Sequence, residues 1–252
     1  MNFNGKNILI TGGSRGIGKA CAIAFSRLGA KVAINYKSDK KAAEQTLSEM
    51  EGDDHFAIKA DVSKDKDLQK LFSEYESQFE KIDILVNNAG IYKYHPIDEV
   101  DFSEWKKLWK ETIDVNLIAS ANLCFWASQK MIKNGGGKIV NVSSRGAFRG
   151  EPKNPAYGAS KAGLNSMSQS LAKALAKYRI FVGVVAPGFV DTDMGNTALS
   201  ESEKMKLIEE LPMKRMATAE EVAHAVLFLA SDGAEYTTGT IIDVNGASYL
   251  RT

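Results

Sequence analysis

The sequence predicts a doubly wound α/β fold built on a seven-stranded parallel sheet. Three observations carry that expectation. Short runs rich in Ile and Val alternate with longer amphipathic stretches along the whole chain. Several of these runs are apolar at consecutive positions, which suits parallel strands covered on both faces. A glycine-rich turn, Thr11 to Gly18, separates the first run from the first amphipathic stretch. One domain over 1–252 is expected, because no repeat, low-complexity tract or Pro- or Gly-rich linker interrupts the alternation.

The strands are expected at Asn7–Thr11, Lys31–Asn35, His55–Ala60, Asp83–Asn87, Lys138–Ser143, Phe181–Ala186 and Thr240–Val244. Helices are expected between them at Gly16–Leu28, Lys40–Met50, Lys64–Phe79, Phe102–Lys133, Tyr157–Tyr178 and Ala219–Ser231. Asp39 stands where it would cap the second helix. Phe102–Lys133 is long for one helix, and a bend or step is expected near Asp114 to Asn116. The segment 191–216 follows Pro187-Gly188 and is polar and irregular in period. An insertion after a strand's carboxyl end is where a substrate lid would lie.

Composition excludes several classes. The chain has 252 residues, 44% apolar and 25% charged, as globular proteins do. Its 32 basic and 31 acidic residues leave a formal charge of +1, so no basic field would hold nucleic acid or an anionic membrane. Cys21 and Cys124 lie in helix-like apolar segments and read as reduced, buried thiols. Met1 to Lys6 is short and polar, unlike a signal peptide, and no run approaches a membrane span, so the cytoplasm is the expected location. Asn141-Val142-Ser143 matches a glycosylation acceptor by chance, at the end of an apolar strand. His55, His95 and His224 are scattered and read as solvated or core-edge residues, so no metal site is expected.

The turn Thr11-Gly12-Gly13-Ser14-Arg15-Gly16-Ile17-Gly18 follows a strand and opens a helix. Glycines let the backbone approach a pyrophosphate, and the helix N-terminus offers free N–H groups and a favourable dipole. The bland alternative is a tight strand-to-helix turn. Tyr157 and Lys161 lie four apart and share one helix face. An ammonium beside a phenol stabilises the phenolate and lowers its pKa, so the pair could exchange a proton with an alcohol or a carbonyl. The alternative is a surface lysine beside a half-buried tyrosine. Ser144 or Ser143, at the carboxyl end of the fifth strand, could hold the substrate oxygen, or merely cap the next turn.

Together these motifs resemble the short-chain dehydrogenase/reductase family, over essentially the whole chain. The glycine loop, Asn87-Asn88-Ala89-Gly90, Asn116 in Asp114-Val115-Asn116-Leu117, Ser144 thirteen positions before Tyr157, Tyr157-Gly158-Ala159-Ser160-Lys161 and Pro187-Gly188 occur in the family's order. Among its members the chain looks closest to the 3-oxoacyl-(acyl-carrier-protein) reductase-like ones. The resemblance implies a Rossmann sheet of order 3-2-1-4-5-6-7. It selects Ser144 over Ser143, gives Tyr157 the proton transfer and Lys161 the nicotinamide ribose, and makes the Asn116 carbonyl the anchor of a water that links Lys161 to solvent. It places Gly12, Ser14, Arg15, Gly16, Ile17, Gly18, Asn88, Ala89, Gly90, Pro187, Gly188, Val190 and Thr192 along a dinucleotide. Asp61 and Val62 resemble the family's adenine-contacting pair, although Asp61 could simply cap a helix ahead of Ser63.

Cofactor choice is read from the end of the second strand. An acid there would favour NAD, but Tyr36 occupies that place. Lys37 and Ser38 follow, and with Arg15 they can receive a 2′-phosphate, so NADP (NADPH) is expected over NAD. The implied activity interconverts a ketone and a secondary alcohol. A 3-oxoacyl thioester is one candidate substrate; a sugar, polyol, steroid or other small alcohol is another. The segment 145–155 would border the pocket, Tyr92, Tyr94 and His95 follow the Asn87–Gly90 turn, and the lid candidate brings Met194, Met205, Leu207 and Ile208, which suit an acyl or alicyclic substrate or simply pack. Where carrier-dependent reductases keep arginines that grip the carrier, this chain has Gly135 and Tyr178, with Lys133, Lys177 and Arg179 close by. No Gly-x-Ser-x-Gly elbow surrounds Ser144, which argues against a hydrolase. A catalytically silent nucleotide sensor is the rival class, and the complete Ser144, Tyr157, Lys161 set speaks against it. The family habit implies a homotetramer, with Trp109, Leu117, Phe125, Leu164 and Leu171 on the outer faces of the long helices and an apolar tail at 241–252.

Overall fold

The computed structural model describes residues 1–194 and 201–251. Seven strands form one sheet in the order β3-β2-β1-β4-β5-β6-β7, and every pairing is parallel. They are β1 (Asn7–Ile10), β2 (Lys31–Tyr36), β3 (Phe56–Lys59), β4 (Ile84–Asn87), β5 (Gly137–Val142), β6 (Ile180–Pro187) and β7 (Ile241–Val244). The chain winds outward from β1 in one direction and then resumes at β4 in the other. The carboxyl ends of β1 and β4 therefore frame the crevice where doubly wound sheets bind ligands.

The consecutive apolar residues follow from burial on both faces. Ile8, Ile10, Val32, Ile34 and Val86 pack on one side, beneath α1 (Gly16–Arg27) and the helix Ala219–Ala230. Leu9, Ala33, Leu85 and Ile139 point to the other, beneath α3 (Asp65–Gln78), α5 (Ala119–Lys133) and α7 (Pro155–Leu175). In-register pairs such as Leu9 with Leu85 and Ile10 with Ile34 bring like faces together. α2 (Lys40–Ser48) begins as expected at Asp39, whose carboxylate accepts the Ala42 N–H at 2.9 Å.

The long stretch does break where a step is expected. α4 (Phe102–Ile113) runs into a single π turn, Asp114–Ile118, before α5 continues. The wider turn turns Asn116 inward, where it is fully buried. A short helix missed by the sequence, α6 (Gly146–Arg149), follows β5; four residues are too few to show a period. Of the expected lid, 195–200 lie outside the described residues. The remainder forms α8 (Glu201–Glu210), none of whose residues is buried, and a loop leading to α9 (Ala219–Ala230).

Two expectations are corrected. His95 is not solvated or at the core edge but wholly buried, because its ring fits between Trp105 and the start of α7. Leu164 does not sit on an outer face; only 1% of it is exposed. The apolar tail is tied within its own chain: Ser248 accepts a hydrogen bond from Arg145 at 2.6 Å, and Arg251 pairs with Asp243 while stacking on Phe148. Leu250 remains exposed, and Thr252 lies outside the described residues. Both cysteines are buried and free, and burial pushes each thiol up to about 12. No described helix is long and apolar enough to cross a membrane.

Leu85 stands in a central strand with no exposed surface. Leu85→Ala should lower unfolding stability by roughly 2–5 kcal/mol, through lost transfer energy and a residual cavity. Urea denaturation checks this, with a shift of the midpoint at constant slope as the expected result.

Candidate active site

The loops after β1 and β4 are stitched together. The Thr11 hydroxyl accepts the N–H groups of Asn88 and Ala89 at 3.0 and 3.1 Å. The Asn88 amide donates back to the carbonyls of Thr11 and Gly12, each at 3.0 Å. This close approach explains two of the glycines. Gly12 holds φ +62°, with Ala89 Cα only 3.1 Å from where a Cβ would stand. A Cβ on Gly18 would fall 2.2 Å from the Gly12 carbonyl oxygen. α1 then starts at Gly16 with Arg15 as a residue that makes no side-chain cap. An uncapped helix end behind a glycine cradle fits a pyrophosphate, which would take the N–H groups a cap would otherwise satisfy. Thr192 touches this loop from the far side, 3.2 Å from a Cβ placed on Gly16. Val190 is held nearby by a parallel bridge to Ala217, and the Gly188 N–H donates to Val244.

At the adenosine end, Tyr36 is buried at the tip of β2, while Lys37 and Ser38 are exposed. Lys37 Nζ lies 2.9 Å from Asp61, and Arg15 reaches Asp193 at 4.0 Å. Burial works to raise the Asp61 carboxyl, but hydrogen bonds from Ser63 and Lys37 outweigh it and hold the group below its usual range. Asp61 thus does bond Ser63, as a capping residue would, and it also engages one of the two cations expected at the phosphate. Val62 is buried at the head of α3.

The candidate reacting groups come from β5 and α7. Ser143 and Ser144 diverge at the end of β5. The Ser143 hydroxyl donates to the Lys161 carbonyl at 3.3 Å, whereas Ser144 accepts the Gly146 N–H at 3.0 Å and hydrogen-bonds the Tyr157 phenol. Lys161 is buried; its ammonium donates to the Val142 carbonyl at 2.8 Å and stands 5.8 Å from the Tyr157 ring centroid. Burial pushes the Lys161 ammonium down to about 8. The phenol departs from the expectation that Lys161 lowers it. Burial pushes Tyr157 up to about 12, with the Ser144 hydrogen bond working against the rise and the Glu151 charge adding to it. The reason is geometric: the ammonium is directed at Val142, and the half-buried phenol keeps too little water to favour its charged form.

A buried polar framework orients α7. Asn87 donates to Asn141 at 2.8 Å, and Asn141 donates to Ser168 at 2.8 Å, which links β4, β5 and α7. Asn116 fastens the other side. Its amide oxygen accepts the Ile91 N–H at 2.8 Å, and its amide nitrogen donates to the Ile91 carbonyl and to Ser160. Its backbone carbonyl, expected to anchor a water, is within 3.4 Å of the Ser120 hydroxyl. Sequence reasoning missed this side-chain clamp, and it missed His95. With the proton on Nδ1 for the Lys93 carbonyl, His95 Nε2 accepts the Ala156 N–H at 3.2 Å and so caps α7 one residue before Tyr157. Asn154, at the formal cap position, instead donates to the Lys93 carbonyl. Neither clamp has a local spacing that would reveal it.

Comparison with known proteins agrees with this geometry. A family model described as enoyl-(acyl carrier protein) reductase matches residues 12–247. The chain is 38% identical over 247 residues to the 3-oxoacyl-(acyl-carrier-protein) reductase FabG of Staphylococcus epidermidis, covering 97% of this chain and 99% of that one. It is 37% identical over 250 residues to the FabG of Escherichia coli, covering 99% and 100%. An uncharacterized oxidoreductase of Thermotoga maritima is 40% identical over 255 residues, covering 98% and 99%. A glycine cradle at the carboxyl ends of β1 and β4 and this full-length similarity lead to one conclusion: the chain belongs to the short-chain dehydrogenase/reductase family and is an oxidoreductase that uses a nicotinamide cofactor to interconvert a ketone and a secondary alcohol.

Proposed function

We propose that the protein reduces 3-oxoacyl thioesters with NADPH, in a single domain in which residues 191–194 and 201–216 border the substrate. The observation that carries the reading is the meeting of the Ser144 hydroxyl and the Tyr157 phenol beside the buried Lys161, at the carboxyl end of β5. The chemistry that NADPH would supply when held here is a hydride for the carbonyl carbon. The Ser144 hydroxyl donates to the carbonyl oxygen and fixes its direction. The Tyr157 phenol gives its proton to that oxygen as negative charge develops there. Lys161 offers ammonium protons to the nicotinamide ribose.

The rest of the chain supports binding. Gly12, Ser14, Gly16, Ile17 and Gly18 take the pyrophosphate with their backbone. Arg15, Lys37 and Ser38 take the 2′-phosphate, for which Lys37 exchanges its exposed pairing with Asp61. Tyr36, Asp61 and Val62 border the adenine, Asn88 to Gly90 follow the ribose, and Pro187, Gly188, Val190 and Thr192 back the nicotinamide. Relatives named for an acyl-carrier protein support a thioester substrate, and the exposed Lys133, Lys177 and Arg179 offer cations to an acidic carrier. The exposed Phe102, Phe125 and Trp126 on α4 and α5 support association of several copies.

Tyr157→Phe keeps the ring and removes the transferable proton. Turnover of acetoacetyl thioester should fall by roughly 10²–10⁴-fold, while cofactor binding, followed by fluorescence titration, stays unchanged. Near-normal turnover in this variant would remove Tyr157 from the role of acid.

NADPH should bind more tightly than NADH, and Lys37→Asp combined with Arg15→Ala should reverse the order. Equal dissociation constants in the unmutated protein would refute the preference. A parallel panel of acetoacetyl thioester, a cyclic ketone and a ketose tests the substrate class; a cyclic ketone or ketose turned over with the higher kcat/KM would replace the thioester reading.

A further inference from the structure

Glu151 lies outside every motif of the proposed reaction, yet its carboxylate sits at the junction of the three segments that enclose Tyr157. The first segment is the loop after β4. The Tyr92 hydroxyl there donates to Glu151 Oε2 at 3.4 Å, and the Tyr92 ring meets the Tyr157 ring edge-on, with centroids 4.8 Å apart and planes at 83°. The second is the turn after Ser144. A Cβ on Gly146 would stand 2.5 Å from Glu151 Oε1, so the carboxylate lies directly on that backbone. The third is the start of α7, where Gly158, the residue after Tyr157, would place a Cβ 3.6 Å from the Glu151 N–H nitrogen. The Glu151 side chain is only 12% exposed, and its cationic partner, Arg149, is 3.6 Å away and on the surface.

We propose that Glu151 is a positioning residue for the Tyr157 phenol: it tethers Tyr92 against the Tyr157 ring and supplies a fixed negative charge beside it. Both effects serve one end. An edge-to-face ring pair resists rotation of the Tyr157 side chain, so the hydroxyl stays directed at Ser144. A nearby negative charge disfavours the phenolate, so the proton that a ketone reduction consumes is retained until the substrate oxygen takes it. The direction of the electrostatics agrees, since the Glu151 charge raises the phenols of both Tyr92 and Tyr157. Among the described residues, the charged and titratable groups around Tyr157 are Lys161 on its own helix, Tyr92 and His95 from the loop after β4, and Arg145, Arg149 and Glu151 from the segment after β5. Burial pushes Arg145 down to about 10, with the nearby Arg149 charge adding to the fall, and it is directed away toward Phe189 and Ser248. Glu151 is the acid of this set.

The inference rests on Tyr157 as the proton donor, and its test does not require turnover. The holoenzyme with oxidised cofactor, labelled with tyrosine at ¹³Cζ, gives a Tyr157 resonance assigned by its loss in Tyr157→Phe. Glu151→Gln keeps size and hydrogen bonding and removes the charge, so the Tyr157 titration should move to lower pH by about half a unit or more. Arg149→Gln unmasks the Glu151 charge and should move it to higher pH. Opposite signs are not the signature of general loosening, and Arg149→Gln still decides the matter if Glu151→Gln fails to fold. Tyr92→Phe keeps charge and ring but cuts the tether; it should leave the midpoint in place and broaden the Tyr157 resonance. The limb of the pH–kcat/KM profile for alcohol oxidation should move with the resonance. An unmoved midpoint in Glu151→Gln, or a shift of the same sign in both charge variants, overturns the proposal. Retained turnover in Tyr157→Phe would instead overturn the assignment of the donor and leave the titration result readable on its own.

Discussion

Everything in this site depends on the pair of hydrogen bonds from the loop after β4 to the Thr11 hydroxyl, and on their return from the Asn88 amide. β1 and β4 are neighbours in the sheet but lie far apart in sequence. Their carboxyl ends must leave in opposite directions for a crevice to open between them. Thr11 and Asn88 fix how wide that crevice is. They also set the demand for glycine, because a loop drawn this tightly leaves no room for side chains at Gly12 or Gly18. The phosphate cradle is thus a consequence of strand pairing rather than an ornament added to it.

The helix that carries Tyr157 and Lys161 is placed by a different means. Its residues touch the sheet through apolar contacts, which are non-directional and would tolerate a small rotation. Direction comes from buried amides. The Asn87–Asn141–Ser168 series fixes α7 against β4 and β5, Asn116 fixes it against the loop at Ile91, and His95 holds its first turn. Each of these groups would be costly to leave unpaired in the interior, so the paired arrangement is strongly preferred over its neighbours. Apolar packing supplies the stability of the helix, and the amides supply its azimuth.

The contrast explains what could be read from sequence. Strands such as Asn7–Ile10 and helices such as Gly16–Arg27 declare themselves through period and run length, which are local properties. The step at Asp114–Asn116 was legible because Phe102–Lys133 is long for one helix. The motif residues Ser144, Tyr157 and Lys161 were legible by spacing and resemblance. The environment of Tyr157 was not, because the direction of the Lys161 ammonium depends on where the Val142 carbonyl falls, and that is settled by the packing of β5 on α7. Leu164 and His95 failed for the same reason: which face of an element is outside, and what fills a gap beneath a loop, are properties of the assembled layers. α6 was missed because four residues carry no period at all.

The π turn between α4 and α5 has a consequence for how this chain tolerates changes in length. A π turn holds one more residue than an α turn, so Asp114–Ile118 behaves as an insertion within an otherwise continuous helix. Removing one residue there would let regular helix close over the gap with α5 still in register with α4, so Leu123, Ala127 and Met131 would stay on the sheet. The widened turn that carries Asn116 inward would be lost, and with it the bonds to Ile91 and Ser160. A one-codon deletion in this stretch would therefore spare the layers of the fold and strike the clamp on α7.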